Sequence, residues 1–441
     1  MDIKELQNII QRCGVVGAGG AGFPTYAKLT DKAEIILLNC AECEPLLKLH
    51  RQVLEQHAYE IMKTFYMIAE TVGAKEAVIG IKESYKKTID ALRQHIEEFP
   101  NMRIHLLQEV YPMGDEVVLI YEATGRIVRP GGLPIEQGVA VFNVETVFNV
   151  YRAVEFNEPV EDKFISVVAE VSNPVTVRMP IGATLDEAVA QAGALTCEDP
   201  VYFVGGPMMG RIGSGSDPVT KTTNAILVLP KDHTIVTKKN RKASIDLKRA
   251  ASICCQCNTC TDLCPRHALG HPIDPARFMR AASNADFQDM NPYINASFCS
   301  SCGVCEMFSC PQSLAPRTLL ADMKAGLRKG GIKPPAVEAV PVRESREYRK
   351  VPEERLMARL GLSKYDKEAP LDERLVPVKK VTILLSQHIG APAHAVVSAG
   401  EHVKRGQMIA EPAQGLSVGI HASIDGKVTE VTDRHIVIAA E

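Results

Sequence analysis

The 441-residue chain has no excess of charge of either sign: 50 basic against 53 acidic residues leave a net −3. A strongly basic face, the usual footprint of a nucleic-acid-binding protein, is therefore not expected. No apolar run approaches the roughly 18 residues that a membrane-spanning helix needs. The first residues, MDIKELQNII, lack the basic-then-apolar order of a secretory signal. These absences predict a cytoplasmic protein that is not an integral membrane protein and has no nucleic-acid partner. In a long chain without an export signal, thirteen cysteines point away from disulfides and towards metal or redox chemistry in a reducing compartment. Nine of them lie in two bursts, and each burst closes on Cys-Pro.

At this length about three domains are expected. Ile3, Leu6, Ile9 and Ile10 give a helical stripe, while EIILLN (34–39), AVIGI (77–81) and RIHLL (103–107) read as buried strands. Helical patterns between them predict an α/β layer domain over 1–162. From 164, FISVVAEV, the turn Ser172-Asn173-Pro174 and VTVRM give a hairpin. Thr184 and Glu187 form a capping box for a helix running to about Ala194, and VYFVGG follows as a strand. This predicts a β-grasp-like module over 163–235. The basic run 238–242 reads as a solvated boundary or as a docking patch for an acidic partner. Residues 236–332 carry the cysteine bursts. Residues 333–372, rich in Pro, Arg and Glu, read as a linker with one short helix, EERLMARLGL, and 373–441 as a small all-β module.

The first burst fits C-x2-C-x2-C-x3-C-P through Cys254, Cys257, Cys260 and Cys264, leaving Cys255 over. The second supplies Cys299, Cys302, Cys305 and Cys310, with four residues before the last. Three thiolates at this spacing let one loop wrap three corners of a cubane, and in two-cluster ferredoxins the remote Cys-Pro thiolate serves the other cluster. Two [4Fe–4S] clusters are therefore expected: one on Cys254, Cys257, Cys260 and Cys310, the other on Cys299, Cys302, Cys305 and Cys264. Paired C-x2-C elements also build zinc sites, but a third cysteine and a Cys-Pro in both bursts are poorly explained by tetrahedral zinc. The extra residue before Cys310 leaves its partner open.

Residues 14–25, GVVGAGGAGFPT, contain G-x-G-x-x-G at Gly17, Gly19 and Gly22. A helical stripe precedes the loop where an ordinary dinucleotide fold has a strand. Glycines nonetheless let backbone N–H groups approach a phosphate. GAGGAGFPT with Lys28, NCAECEP (39–45), YPMGDE (111–116) and FNVET (142–146) together resemble the NADH-oxidising, FMN-binding flavoprotein subunit of respiratory complex I. GGPMMG (205–210), VTKTTN (219–224) and the paired bursts are similar to the C subunit of Rnf electron-transport complexes. DLCPRH, the x4 spacing of the second burst, IHASIDG near the end and the C-terminal position of the β module resemble, most closely, the corrinoid (cob(III)alamin) reductases of propanediol-utilisation microcompartments.

The resemblance implies a multidomain α/β protein: a Rossmann-like FMN domain, an SLBB-like β-grasp module, a helical two-cluster ferredoxin domain and a C-terminal barrel-sandwich hybrid. It implies an FMN phosphate cradle of Gly17, Gly19, Gly20 and Gly22, with Lys28 and Asn39 on the flavin or its phosphate. Asn143 and Thr146 would close the pocket. Phe23, Glu44 and Glu116 match positions around the nicotinamide dinucleotide, and Glu42 and Asp115 stand in the same motifs as cofactor-binding candidates. Ala41 replaces an acid of the complex I pattern and Phe142 the first of a paired Asn. Cys40 and Cys43 form C-x-x-C but lie inside the flavin-type segment, so they read as small buried thiols, as do Cys13 and Cys197.

The last module has the two-half look of a lipoyl/biotinyl barrel, yet its inter-half hairpin, Pro412–Ser417, holds no lysine, and Lys427 reads as a surface residue. A scaffold or docking role is expected. His388, His394, His402 and His421 lack metal-ligand spacing and read as turn or surface residues. The implied activity is NADH-dependent reduction of an oxidised corrinoid, for adenosylcobalamin regeneration beside a diol dehydratase. No D-x-H-x-x-G corrinoid motif occurs, so contact with the corrinoid would be transient or through a relay iron–sulfur protein. An adenosyltransferase and a microcompartment shell are the other implied partners. A peripheral subunit of an Rnf-like membrane complex and a non-enzymatic electron relay remain alternatives.

Overall fold

The computed structural model describes residues 1–441. Its first domain is built on a parallel sheet ordered Met102–Leu107, Glu76–Lys82, Ile35–Cys40, Val139–Asn143. The inner strands Glu76–Lys82 and Ile35–Cys40 are apolar over most of their length because both faces are covered, whereas the edge strand Met102–Leu107 carries Arg103 and His105. Ile36 and Leu38 pack towards Phe65 and Val147 of the helices Ala58–Val72 and Val144–Phe156. Leu37 faces Leu119 of Glu116–Thr124 on the other side. The chain leaves Ile35–Cys40 in one direction across the sheet and returns on its other flank. The switch point thus falls between Asn39 and Asn143, which are register partners at the carboxyl ends of their strands. A ligand crevice belongs there.

The second domain is the expected grasp, with Asp162–Ala169 antiparallel to Val175–Pro180 and parallel to Ala225–Pro230. Thr184 and Glu187 form the capping box, but the helix ends at Ala190, short of Ala194. The cysteine region is helical, and no helix of the chain is long and apolar enough to cross a membrane. The C-terminal module folds as a four-stranded and a three-stranded sheet. Its Ile383 and Ile438 share one continuous hydrophobic core with Leu6 and Ile36 of the first domain.

Three expectations need correction. Residues 333–372 are no slack linker: Val351–Pro352 pairs with Val110–Tyr111, and Leu371–Leu375 adds an edge strand to the grasp sheet. Between them Leu356, Leu360, Leu362 and Tyr365 are buried against the second domain. The basic run is not a free patch, since Lys238 donates to the Glu306 carbonyl (3.0 Å) and Lys239 to that of Met208 (2.9 Å), while Asn240 and Lys242 stay exposed. His421 is buried in a strand, where burial holds its pKa down at about 3, and both ring nitrogens of His388 are enclosed without a partner.

Candidate functional site

The helix Ile3–Arg12 ends at Cys13, and Gly14 turns the chain with φ +71°. Gly17 N–H donates to the Phe23 carbonyl (2.9 Å) and a bridge joins Val16 to Pro24, so Ala18–Ala21 project as a tight hairpin tip. Ala18 N–H donates to Thr146 Oγ1 (3.0 Å), seating the tip over the N-terminus of Val144–Phe156. Asn143 caps that helix, with Oδ1 accepting from Glu145 N (3.0 Å) and Thr146 N (3.3 Å). Beside the tip lies a cleft of about 260 Å³ lined by Gly17, Gly19, Gly20, Gly22, Phe23, Lys28, Asn39, Glu116, Asn143 and Thr146. Ala21, Thr25, Gly114, Val141 and Phe142, not singled out from sequence as binding residues, complete it.

These residues fit a flavin phosphate. A Cβ on Gly20 would meet no atom within 4 Å, so the backbone there faces open space, while one on Gly19 would stand 2.5 Å from Asn143 Nδ2. Bare N–H groups beside a helix N-terminus suit an anion. Within the cleft Lys28 Nζ donates to the Val141 carbonyl (2.8 Å) and pairs with Glu116 (3.3 Å). Asn39 lines the cleft with its amide already committed, to the Gly114 carbonyl (3.0 Å) and from Ala41 N (3.1 Å).

Three expected cofactor-binding residues lie outside this cleft. Glu42 is buried beneath it, where its Oε2 accepts from His50 N (3.1 Å) and burial pushes its carboxyl up to about 7. Glu44 accepts from Met208 N (2.8 Å) and Met209 N (2.9 Å), tying the first domain to the GGPMMG turn of the second. Asp115 caps Glu116–Thr124 and pairs with Arg266 at 2.8 Å. Acids adjacent in a motif point to opposite sides of a turn, and sequence alone could not separate them. Desolvation pushes the Cys43 thiol up to about 12 and that of Cys40 higher still, which keeps both protonated, in line with small buried thiols. His50, close to Glu42 (3.6 Å) and Glu145 (3.9 Å), had no sequence signal.

The cysteines gather in two groups. Cys254, Cys257, Cys260 and Cys310 line one cavity, with Cys255, Met279 and Arg280 beside them. Cys264, Cys299, Cys302 and Cys305 line the other, with Arg266 and Arg317. Each set takes three thiols from one burst and the Cys-Pro thiol of the other, a donor set suited to a cubane. The additional residue before Cys310 is absorbed because Val304–Ser309 winds as a π-helical turn, the usual accommodation of a one-residue insertion. Ser301 N–H points at Cys299 Sγ and Leu314 N–H at Cys310 Sγ, each at 3.3 Å. Such donors tune the potential of a bound cluster.

One segment joins cleft and cysteines. Gly114 and Glu116 line the cleft, whereas Tyr111 donates its hydroxyl to the Cys302 carbonyl (2.6 Å) and Asp115 grips Arg266 of the second cysteine cavity. Three residues span at most roughly 11 Å of backbone, so one short segment touches both sites. The first cysteine group faces outward, with Cys255 and Cys257 exposed.

Residues 10–152 match the Nuo51 FMN-binding domain, 164–212 the SLBB domain, 253–315 a 4Fe-4S dicluster domain and 363–441 the RnfC barrel sandwich hybrid domain. The four modules expected from sequence are thus the four matched. The chain is 43% identical over 440 residues to cobalamin reductase PduS of Salmonella typhimurium, covering 99% of this chain and 97% of that protein. It is 30% identical over 284 residues to the C subunit of the Na(+)-translocating ferredoxin:NAD(+) oxidoreductase complex of Acetobacterium woodii, covering 63% of this chain and 61% of that protein. A solved NAD+-reducing [NiFe]-hydrogenase in the H2-reduced state shares the fold with a TM-score of 0.51 at 19% identity, over 79% of this chain and 65% of that one.

Proposed function

The chain belongs to the cobalamin reductase PduS family, and from that premise we propose that it passes electrons from NADH, through FMN and two [4Fe–4S] clusters, to an oxidised cobalamin. The observation that carries this reading is the segment 111–116, which lines the glycine-loop cleft on one side and contacts the second cysteine group on the other. Flavin supplies the conversion between hydride and single-electron transfer, and clusters supply one-electron steps. The chain's own task is placement. Gly17, Gly19, Gly20 and Gly22 offer the phosphate cradle, and Lys28 and Glu116 add a polar pair to its lining. Phe23, which lines the cleft, would stack on the nicotinamide. The electron route then runs from the cleft to the group of Cys264, Cys299, Cys302 and Cys305. It continues to Cys254, Cys257, Cys260 and Cys310, whose exposure makes that group the exit. Correspondence with a PduS protein over 97% of its length favours this reading over an Rnf-type role, for which the match covers 61% of the relative. Operation inside a microcompartment, with an adenosyltransferase or relay iron–sulfur protein at the exit, follows as part of the proposal.

Anaerobic stopped-flow with NADH and an added corrinoid tests it. Cys257→Ala is expected to stop corrinoid reduction while leaving flavin bleaching by NADH nearly unchanged. Phe23→Ala or Glu116→Ala is expected to slow bleaching while dithionite still drives corrinoid reduction. A Cys257 variant that delivers electrons at the wild-type rate makes the flavin the exit and removes the clusters from the route.

A further inference from the structure

The glycine-rich loop is held at both ends by other domains. At its start, Lys221 Nζ of the grasp domain donates to the Gly14 carbonyl (2.6 Å) and to the Gly419 carbonyl of the C-terminal barrel (3.1 Å). The fit is close enough that a Cβ on Gly14 would stand 2.4 Å from both Lys221 Nζ and the Gly419 oxygen. At its end, the Gly22 carbonyl accepts from Ile389 N–H of the barrel (3.2 Å). A Cβ on Gly22, where φ is +71°, would stand 2.9 Å from the Gln387 oxygen and 3.1 Å from Thr222 Cγ2. One connection couples the two ends, because Lys221 N–H donates to Gln387 Oε1 (3.0 Å) while Gln387 Nε2 donates to the Leu384 carbonyl (2.9 Å).

The barrel's inter-half hairpin, the place where carrier domains bear a modified lysine, is docked as well. Tyr26 donates its hydroxyl to the Gly415 carbonyl (3.2 Å), and Gln11 Nε2 donates to the Ser417 carbonyl (3.1 Å). A hairpin seated on the flavin domain does not swing. Lys221 is itself buried, and its ammonium is met by backbone carbonyls from two domains and by no carboxylate. Burial pulls the pKa of Lys221 down to about 7, and its N–H donors serve both carbonyls whether or not the amine is protonated.

We infer that Lys221 is a positioning residue for the flavin loop: with Gln387 it locks residues 14–22 between the grasp domain and the barrel, and the C-terminal barrel serves as the clamp of the phosphate cradle rather than as a carrier. The inference rests on the reading of the cleft as the FMN site. A loop fixed in its binding conformation gives up less entropy when the ligand arrives.

The test uses the full chain with its iron–sulfur content intact and two separate readouts on Lys221→Met. Amide hydrogen exchange, measured without flavin, is expected to quicken in residues 14–23 and 415–421 and nowhere else. FMN affinity, from fluorescence quenching, is expected to fall about tenfold, or about 1.4 kcal/mol, at unchanged iron content. Gln387→Ala, which leaves the Lys221 side chain in place and removes the acceptor of Lys221 N–H that couples the two ends of the loop, is expected to act in the same direction and replaces Lys221→Met if that variant does not fold. Unchanged exchange in the loop overturns the grip. Faster exchange with wild-type FMN affinity overturns the positioning role and leaves Lys221 purely structural. Wild-type protein that takes up no FMN overturns the reading of the cleft, an outcome distinct from the first two because the exchange arm does not depend on flavin.

Discussion

Replacing Gly20 by valine separates what the fold needs from what a bound phosphate needs. Gly20 lies at the hairpin tip, and a Cβ built on it meets nothing within 4 Å. The side chain therefore disturbs no packing, and stability should stay within about 0.5 kcal/mol of wild type. The empty space is the space of the cleft, however. A valine there would bar the phosphate from the backbone N–H groups of the tip. Losing two charge-assisted hydrogen bonds at roughly 1.5–3 kcal/mol each predicts an FMN affinity lower by at least about 100-fold. Gly19 supplies the contrast. A Cβ there presses on Asn143 Nδ2 at 2.5 Å, and Asn143 caps Val144–Phe156, so Gly19→Ala should also cost about 1 kcal/mol of stability through the damaged cap. The assay pairs FMN titration of anaerobically prepared protein with thermal unfolding, using iron content as the control for intact cysteine groups. A Gly20→Val protein that binds FMN at wild-type strength refutes the cradle. One that melts as low as Gly19→Ala refutes the assignment of its side chain to open space.

Two further outcomes follow from the buried groups. Anaerobic protein should carry about eight irons per chain, two cubanes' worth, and Cys264→Ala and Cys310→Ala should each forfeit about four while sparing the other group's EPR signal; zinc in place of iron would contradict the assignment. Glu42, whose carboxyl burial pushes up to about 7 in the folded chain, binds its proton more tightly there than when unfolded. Its contribution is full below about pH 4 and is lost as pH rises to about 7, a fall of order 3 kcal/mol. Glu42→Gln should remove that part of the slope in denaturant midpoints between pH 5 and 7.5, and an unchanged slope would show that Glu42 ionises normally.

The chemistry of the cysteine region was legible because cluster ligation constrains spacing directly: three thiols must lie on one short loop, and each Cys-Pro thiol must come from elsewhere. The π-helical turn before Cys310 shows how an irregular spacing can reach the same end. The glycine loop was legible for a similar reason, since close backbone approach excludes side chains. Acids were harder. Asp115 and Glu116 are neighbours, yet the first caps a helix and holds Arg266 while the second faces the cleft, a difference set by one turn of backbone. The segment 333–372 misled through composition. Its charged and proline residues suggest a tether, but Leu356 and Leu360, one helical turn apart, are buried on the second domain, and that periodicity was the available signal. Lys221 was hidden in a polar motif, because only the fold brings carbonyls of two other domains to its ammonium.

The proposed electron route depends on few residues. Both cofactor regions are supported by their own domains, and what must be kept constant is the spacing between them. Tyr111 and Asp115 fix it from opposite ends of one short segment, through a hydroxyl on the Cys302 carbonyl and a carboxylate on Arg266. The pairing of Val110–Tyr111 with Val351–Pro352 braces that segment from outside. The apparent linker thus braces the segment that touches both sites. Immediately after that pair, Glu353 reaches the buried Lys82 at the carboxyl end of the neighbouring strand, in a contact 12% exposed on the acid and 0% on the lysine. A charge pair so enclosed holds its place because separating it would strand a buried ammonium. Segment 110–116 is therefore anchored to the sheet, the strap and the cysteine domain together, and a displacement of any one of them would alter the gap on the proposed electron route.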